Sequence, residues 1–129
     1  MTAAPPHRPL AGVRIVEISS FVAVPLAGMT LSQLGAEVVR IARRPRPDEP
    51  EVHALDLTQP LGAPIDGEFD VLVHCLSPAS RDEASYRAVY VDALRHLRAG
   101  LPAVSRVVFV SSTAVYGDHG GAWISSREP

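Results

Sequence analysis

The sequence predicts an α/β fold: a Rossmann-type doubly wound parallel sheet of about five strands. Three observations carry this prediction. Short β-branched runs alternate with segments whose apolar residues recur at helical spacing. One run, FDVLVHCL at residues 69–76, is nearly all apolar, as in a central parallel strand covered on both faces. The order strand, helix, strand, strand, strand, long helix, strand is that of a doubly wound sheet.

The elements follow in order. Residues 1–9 carry three prolines and little to bury, which predicts a disordered lead-in. Residues 10–129 are expected to form a single Rossmann-type domain that lacks a substrate domain and is truncated at its carboxyl end. VRIVEI at residues 13–18 is β-branched and alternates, so it is the first strand. Pro25 suits a first helical turn, and Leu26, Met29, Leu31 and Leu34 supply an apolar face, with Gly35 as the stop. EVVRIA at residues 37–42 is the second strand, and a proline-broken loop follows it. Residues 52–55 form a short extended piece ending at Asp56. Ser80 or Asp82 caps a long helix whose Ala84, Ala88, Val91, Leu94 and Leu97 recur at three- and four-residue steps, and Gly100 ends it. Residues 107–110 are the last strand. Right-handed crossovers place the first strand centrally, with its carboxyl end at the switch point where such sheets bind ligands.

Bulk composition narrows the function classes. With 129 residues, 47% hydrophobic and 20% charged, the chain reads as one compact globular unit or part of a larger one. A net charge of −2 gives no general attraction to nucleic acid. All its basic residues are arginines, and Arg40, Arg43, Arg44 and Arg46 cluster; this pattern fits one anionic group, or a solvated loop. The single Cys75 forms no internal disulfide, so a reducing, cytoplasmic setting is expected. No apolar run approaches the roughly 18 to 20 residues of a membrane span, and no membrane partner is expected. The five histidines are too scattered for a metal motif, and no metal is expected.

Two resemblances run through the chain. RIARRP, ALDLTQP, FDVLVHCLSP with the helix DEASYRAVYVDALRHL, and VVFVSSTAVYG resemble an extended short-chain dehydrogenase/reductase, the NAD-dependent epimerase/dehydratase type, from about residue 37 onward. PLAGVRIVEISSFVAVPLAGMTLSQLGAEVVRI, residues 9–41, is similar to the amino-terminal segment of family III CoA-transferases. LGAEVVRI suits either family, so the chain reads as a join of two Rossmann-type pieces.

The dehydrogenase resemblance implies an oxidoreductase or epimerase with NADP or NAD as its small-molecule nucleotide cofactor. It implies cofactor contacts at Ser19, Ser20, Arg43, Arg44, Asp56, Leu57, Leu76, Ser77 and Ser111, with Ser112 and Thr113 as catalytic hydroxyls. Arginine after the second strand pairs with a 2′-phosphate, which favours NADP; a solvated basic loop is the other reading. Asp56 is either the family's adenine-side aspartate or a turn former. VEISSFVAVPLAG, residues 16–28, holds none of the glycines that let backbone amides approach a pyrophosphate, so a purely structural turn stands beside an atypical cofactor site. The family's Tyr-x-x-x-Lys pair is also absent, since the chain has no lysine.

The main expectation is therefore the cofactor-binding portion of such a dehydrogenase, inactive alone. The alternatives are a family III CoA-transferase-like fragment that binds a CoA ester, with coenzyme A as ligand, or a non-enzymatic module. In that last case uncovered apolar surface supports a homo-oligomer. Glu17 is expected at an exposed alternate position. His74 and Cys75 point to opposite faces as core or near-core residues, and Trp123 is a packing anchor or lies beneath a further domain.

Overall fold

The computed structural model describes residues 7–19, 23–44, 47, 52–101, 103–111, 120–123 and 125. Its elements are β1 (Arg14–Ser19), α1 (Ala23–Gln33), β2 (Glu37–Ala42), β3 (Val52–Ala54), β4 (Phe69–Cys75), α2 (Glu83–Arg87), a π-helical turn (Ala88–Asp92), α3 (Ala93–Gly100) and β5 (Val104–Phe109). The five strands form an all-parallel sheet in the order β3-β2-β1-β4-β5. The α/β Rossmann-type prediction holds, with β1 central.

Register fixes which side chains share a face. Ile18 pairs with Ile41 on β2 and with His74 on β4, and His74 pairs with Phe109 on β5. Partners in a parallel ladder project to the same side. Val16, Ile18, Ile41 and Leu72 therefore meet Ala93 and Leu97 of α3, and Leu57 and Leu101 close the cluster. Burying a side chain of this size contributes about 1.5–3 kcal/mol. The rod formed by α2, the π turn and α3 covers this face.

The other face carries α1, which packs on β1 and β2. Its end is a Schellman cap: Ala36 N–H bonds Leu31 O at 3.1 Å and Gly35 N–H bonds Ser32 O at 2.9 Å. Gly35 has a φ of +103°, the left-handed conformation this cap requires. Of the apolar face expected of α1, Leu31 is half-buried, and the Leu26 side chain lies outside the described residues. Met29 is 51% and Leu34 39% exposed, whereas Gly28 is buried. The side without bulk lets the helix backbone approach the sheet.

Several boundaries differ from the sequence expectation. Gly100 closes α3 as its last residue; a Cβ there would collide with Leu61. β4 is covered unequally: Leu72 and His74 on one face are buried, whereas Val71, Val73 and Cys75 on the other are only half-buried. β5 begins at Val104 rather than 107, because pairing to β4 recruits Ser105 and Arg106, polar residues that suit an exposed edge. Val107, Val108, Phe109 and Val110 remain 42–50% exposed there. Trp123 is 99% exposed and so is no packing anchor among the described residues. Residues 1–6 of the lead-in lie outside the described residues.

At the amino edge of the sheet, Arg14 ties three strands together. Its amide donates to Asp70 Oδ2 at 2.7 Å, and its guanidinium donates to Glu68 O and to Glu37 Oε1, both at 2.8 Å. The guanidinium also lies 5.1 Å from the Phe69 ring centre. Glu37 leads the causes that hold the Arg14 guanidinium above its usual pKa.

Candidate functional site

At the opposite edge, the carboxyl ends of β1, β2 and β4 open onto a cleft of about 520 Å³. The chain leaves β1 toward β2 on one side, and β4 flanks it on the other, which is the topological switch point of such a sheet. The volume lies within the ~300–1,000 Å³ usual for small-molecule sites.

Three groups of residues build its walls. Ile18 and Ser19 end β1, and Arg40, Ile41, Ala42, Arg43 and Arg44 bring the end of β2. Leu55, Asp56, Leu57 and Thr58 follow β3, where the chain turns back under the cleft. Leu76 and Ser77 follow β4, and Ser85, Ala88, Val89 and Ala93 present the rod. The body of the cleft is thus apolar, and the exposed Arg43 and Arg44 bring positive charge to its rim.

Of the residues singled out in the sequence, Ser19, Arg43, Arg44, Asp56, Leu57, Leu76 and Ser77 come together here. Ser111 does not: it is exposed, just beyond β5, and does not line the cleft. Ser20, Ser112 and Thr113 lie outside the described residues.

Asp56 forms a tight local turn. Its Oδ1 accepts the Thr58 amide at 3.0 Å and the Thr58 hydroxyl at 2.7 Å. These bonds hold the Asp56 carboxyl below the usual carboxylate range, the hydroxyl most of all, and Arg43 adds attraction. Next to it, the Leu57 carbonyl accepts from His96 Nδ1 on α3 at 2.8 Å, which pins this wall to the rod. Neither Thr58 nor His96 carries a motif that would single it out in the sequence.

Two buried polar residues lie beside the cleft. Glu17 is 1% exposed, contrary to the expectation of an exposed alternate position, because α1 lies across it with Gly28 at the point of contact. Neither carboxylate oxygen has a hydrogen-bond partner among the described residues. Burial pushes the Glu17 carboxyl up to about 7, against the attraction of Arg40. The nearby Cys75 thiol is also raised, first by burial and then by the Glu17 charge. His74 is fully buried on the opposite face, and burial lowers its imidazole pKa. Among the described residues no three metal-binding side chains cluster, and no helix is long and apolar enough to cross a membrane.

Residues 10–56 match the family model of CoA-transferase family III. The 2-methylfumaryl-CoA isomerase of Chloroflexus aurantiacus is 68% identical over 31 residues, a stretch that covers 24% of this chain and 8% of that protein. No solved structure matches the chain.

The family match corrects the expectation that the chain turns into a short-chain dehydrogenase at about residue 37. It continues through β2, Arg43, Arg44 and β3 to Asp56. RIARRP and the start of ALDLTQP, two of the four groups that suggested a dehydrogenase, therefore lie inside a CoA-transferase match. The physical reason is that parallel strands ending at one sheet edge share a pattern, a β-branched run followed by a polar loop, whatever the ligand. The main reading, the cofactor-binding part of an NAD(P)-dependent epimerase or oxidoreductase, falls with that correction.

Proposed function

We propose that this chain is a family III CoA-transferase-like fragment whose cleft holds the nucleotide end of a coenzyme A ester. One observation carries the reading: the matched residues 10–56 include Ile18, Ser19, Arg40 to Arg44, Leu55 and Asp56, a large part of the cleft wall. The chemistry is complementary. Coenzyme A ends in an adenosine bearing a 3′-phosphate and a pyrophosphate, and the cleft offers an apolar body rimmed by guanidinium groups. Arginine forks pair with phosphate oxygens through short, charge-assisted hydrogen bonds. Val52, Leu55 and Leu57 supply apolar surface for a base. The missing glycine loop is no obstacle to this reading, because the arginines, rather than backbone amides, meet the phosphates.

Calorimetric titration tests the proposal. Coenzyme A is expected to bind with Kd below about 1 mM, which corresponds to roughly −4 kcal/mol. Dephospho-CoA, which lacks the 3′-phosphate, binds more weakly, and Arg43→Glu weakens CoA by about tenfold, as expected for loss of a hydrogen bond to a charged group. Absence of saturable heat with CoA, or equal affinity for both ligands together with an inert Arg43→Glu, sinks the proposal.

A further inference from the structure

The rod over the sheet is α-helical before and after residues 88–92 and opens there into a π turn. Ala93 N–H bonds Ala88 O, five residues back. In an α-helix the same amide would reach four back, to Val89. The Val89 carbonyl instead meets His74 Nε2 at 3.0 Å. A carbonyl only accepts, so His74 is the donor and its proton sits on Nε2. His74 is 0% exposed, stacked on Phe109 with ring centres 4.8 Å apart and tilted toward Tyr90 at 6.3 Å. The π register takes the Ala93 amide away from the Val89 carbonyl, and the buried imidazole N–H is the side-chain donor that meets that carbonyl.

The consequence reaches the cleft. Ser85, Ala88, Val89 and Ala93, which lie in or beside the π turn, form its helical wall, while His74 itself does not line it. A continuous α-helix would rotate the segment before the turn by about 100° and shift it by about 1.5 Å relative to α3. Ser85 and Ala88 would then leave their present alignment with Ala93.

We propose that His74 is a positioning residue for the cleft: by donating Nε2–H to the Val89 carbonyl it holds the π turn and sets the wall against which a ligand packs. Its effect on CoA rests on the proposed function; its hold on the wall does not.

Two variants of the whole chain separate these claims. His74→Phe keeps a ring for the Phe109 stack and removes the donor, and His74→Gln keeps an N–H donor. In isotope-labelled protein, couplings across hydrogen bonds identify the carbonyl each amide bonds. The Ala93 amide is expected to couple to Ala88 in the wild type, to Val89 in His74→Phe, and again to Ala88 in His74→Gln. CoA affinity is expected to fall about tenfold in His74→Phe, the size of one lost hydrogen bond, and to recover within about threefold in His74→Gln. The inference is overturned if Ala93 keeps Ala88 in His74→Phe, or if the bond switches while CoA affinity stays within about twofold. Should the wild type bind no CoA, the proposed function fails and the couplings alone decide the role of His74. Should His74→Phe not fold, the wild-type ring decides: coupling of His74 Nε2 to the Val89 carbonyl supports the inference, and an unprotonated Nε2 overturns it.

Discussion

Glu17 on β1 lies directly beneath Gly28 of α1, so close that a Cβ at position 28 would overlap the Glu17 Oε2 atom and press on Cδ and Oε1. Two opposing effects meet in Gly28→Ala. Alanine favours a helix interior over glycine by about 1 kcal/mol, whereas overpacking a closed site costs roughly 1–3 kcal/mol. Glu17 is buried and cannot swing into solvent, so the clash wins. Gly28→Ala is expected to destabilise the fold by up to about 2 kcal/mol in urea titration. In a Glu17→Ala background the same change becomes neutral or stabilising, and the double-mutant cycle reads this coupling. A stabilising Gly28→Ala in the otherwise unchanged chain would show that α1 does not rest on the carboxylate.

The same burial gives a pH dependence of defined sign. The Glu17 carboxyl stands at about 7 in the fold, above its ordinary value near 4.5. The native state therefore holds more protons than the unfolded state between those values, and stability falls as pH rises through that window, levelling off above about 7. The groups facing Glu17 are Arg40 from β2, which opposes the shift, and Cys75 from β4; α1 contributes no charged residue. Over the whole window the decline is on the order of 3 kcal/mol, of which about 2 kcal/mol falls between pH 5.5 and 8. Urea titrations at pH 5.5 and 8 should show it in the wild type and not in Glu17→Gln. Equal slopes in both proteins would count against a buried, unpaired carboxylate.

Much of this fold could be read from local pattern. β2 matches the span of EVVRIA, Gly35 ends α1 by the cap its type favours, and the carboxyl end of β1 opens on the cleft as the strand order requires. The residues whose role the local pattern does not reveal are those whose meaning is set by a neighbour distant in sequence. Glu17 looked like a solvent-facing position until α1 crossed it at Gly28. His74 looked like simple core until Val89, fifteen residues on, offered a carbonyl. The family boundary departs from the sequence expectation for a related reason: strand ends at one sheet edge resemble each other across ligands, so residues after β2 carry little information about which cofactor they face.

Asp82 is the cap that starts α2. Its Oδ1 accepts the Ser85 amide at 2.8 Å, and its Oδ2 accepts the Ser80 hydroxyl and, at 3.2 Å, the Ser85 hydroxyl. The Ser80 hydroxyl leads the causes that hold the carboxyl below the usual range, followed by the Ser85 amide. A depressed carboxyl stabilises the fold above its unfolded pKa of about 3.9, and that contribution is lost as pH falls through the lower folded value. Asp82→Ala is expected to speed hydrogen exchange at the Ser85 amide, and Asp82→Asn to preserve most of its protection. Unchanged exchange in Asp82→Ala would mean that the helix starts without this cap.

Trp123 is the chain's single tryptophan and stands 99% exposed. An indole in that setting has no apolar surroundings to lose on unfolding. Its emission is expected to be that of a solvated indole in the native protein, with iodide quenching that changes little on adding urea. The unfolding transitions predicted for the Gly28 and Glu17 variants should consequently be followed by circular dichroism, because β1, α1 and β2 report the packing that changes. A blue-shifted native emission that moves to the red on unfolding would show Trp123 buried against another surface in solution, and would reverse this prediction.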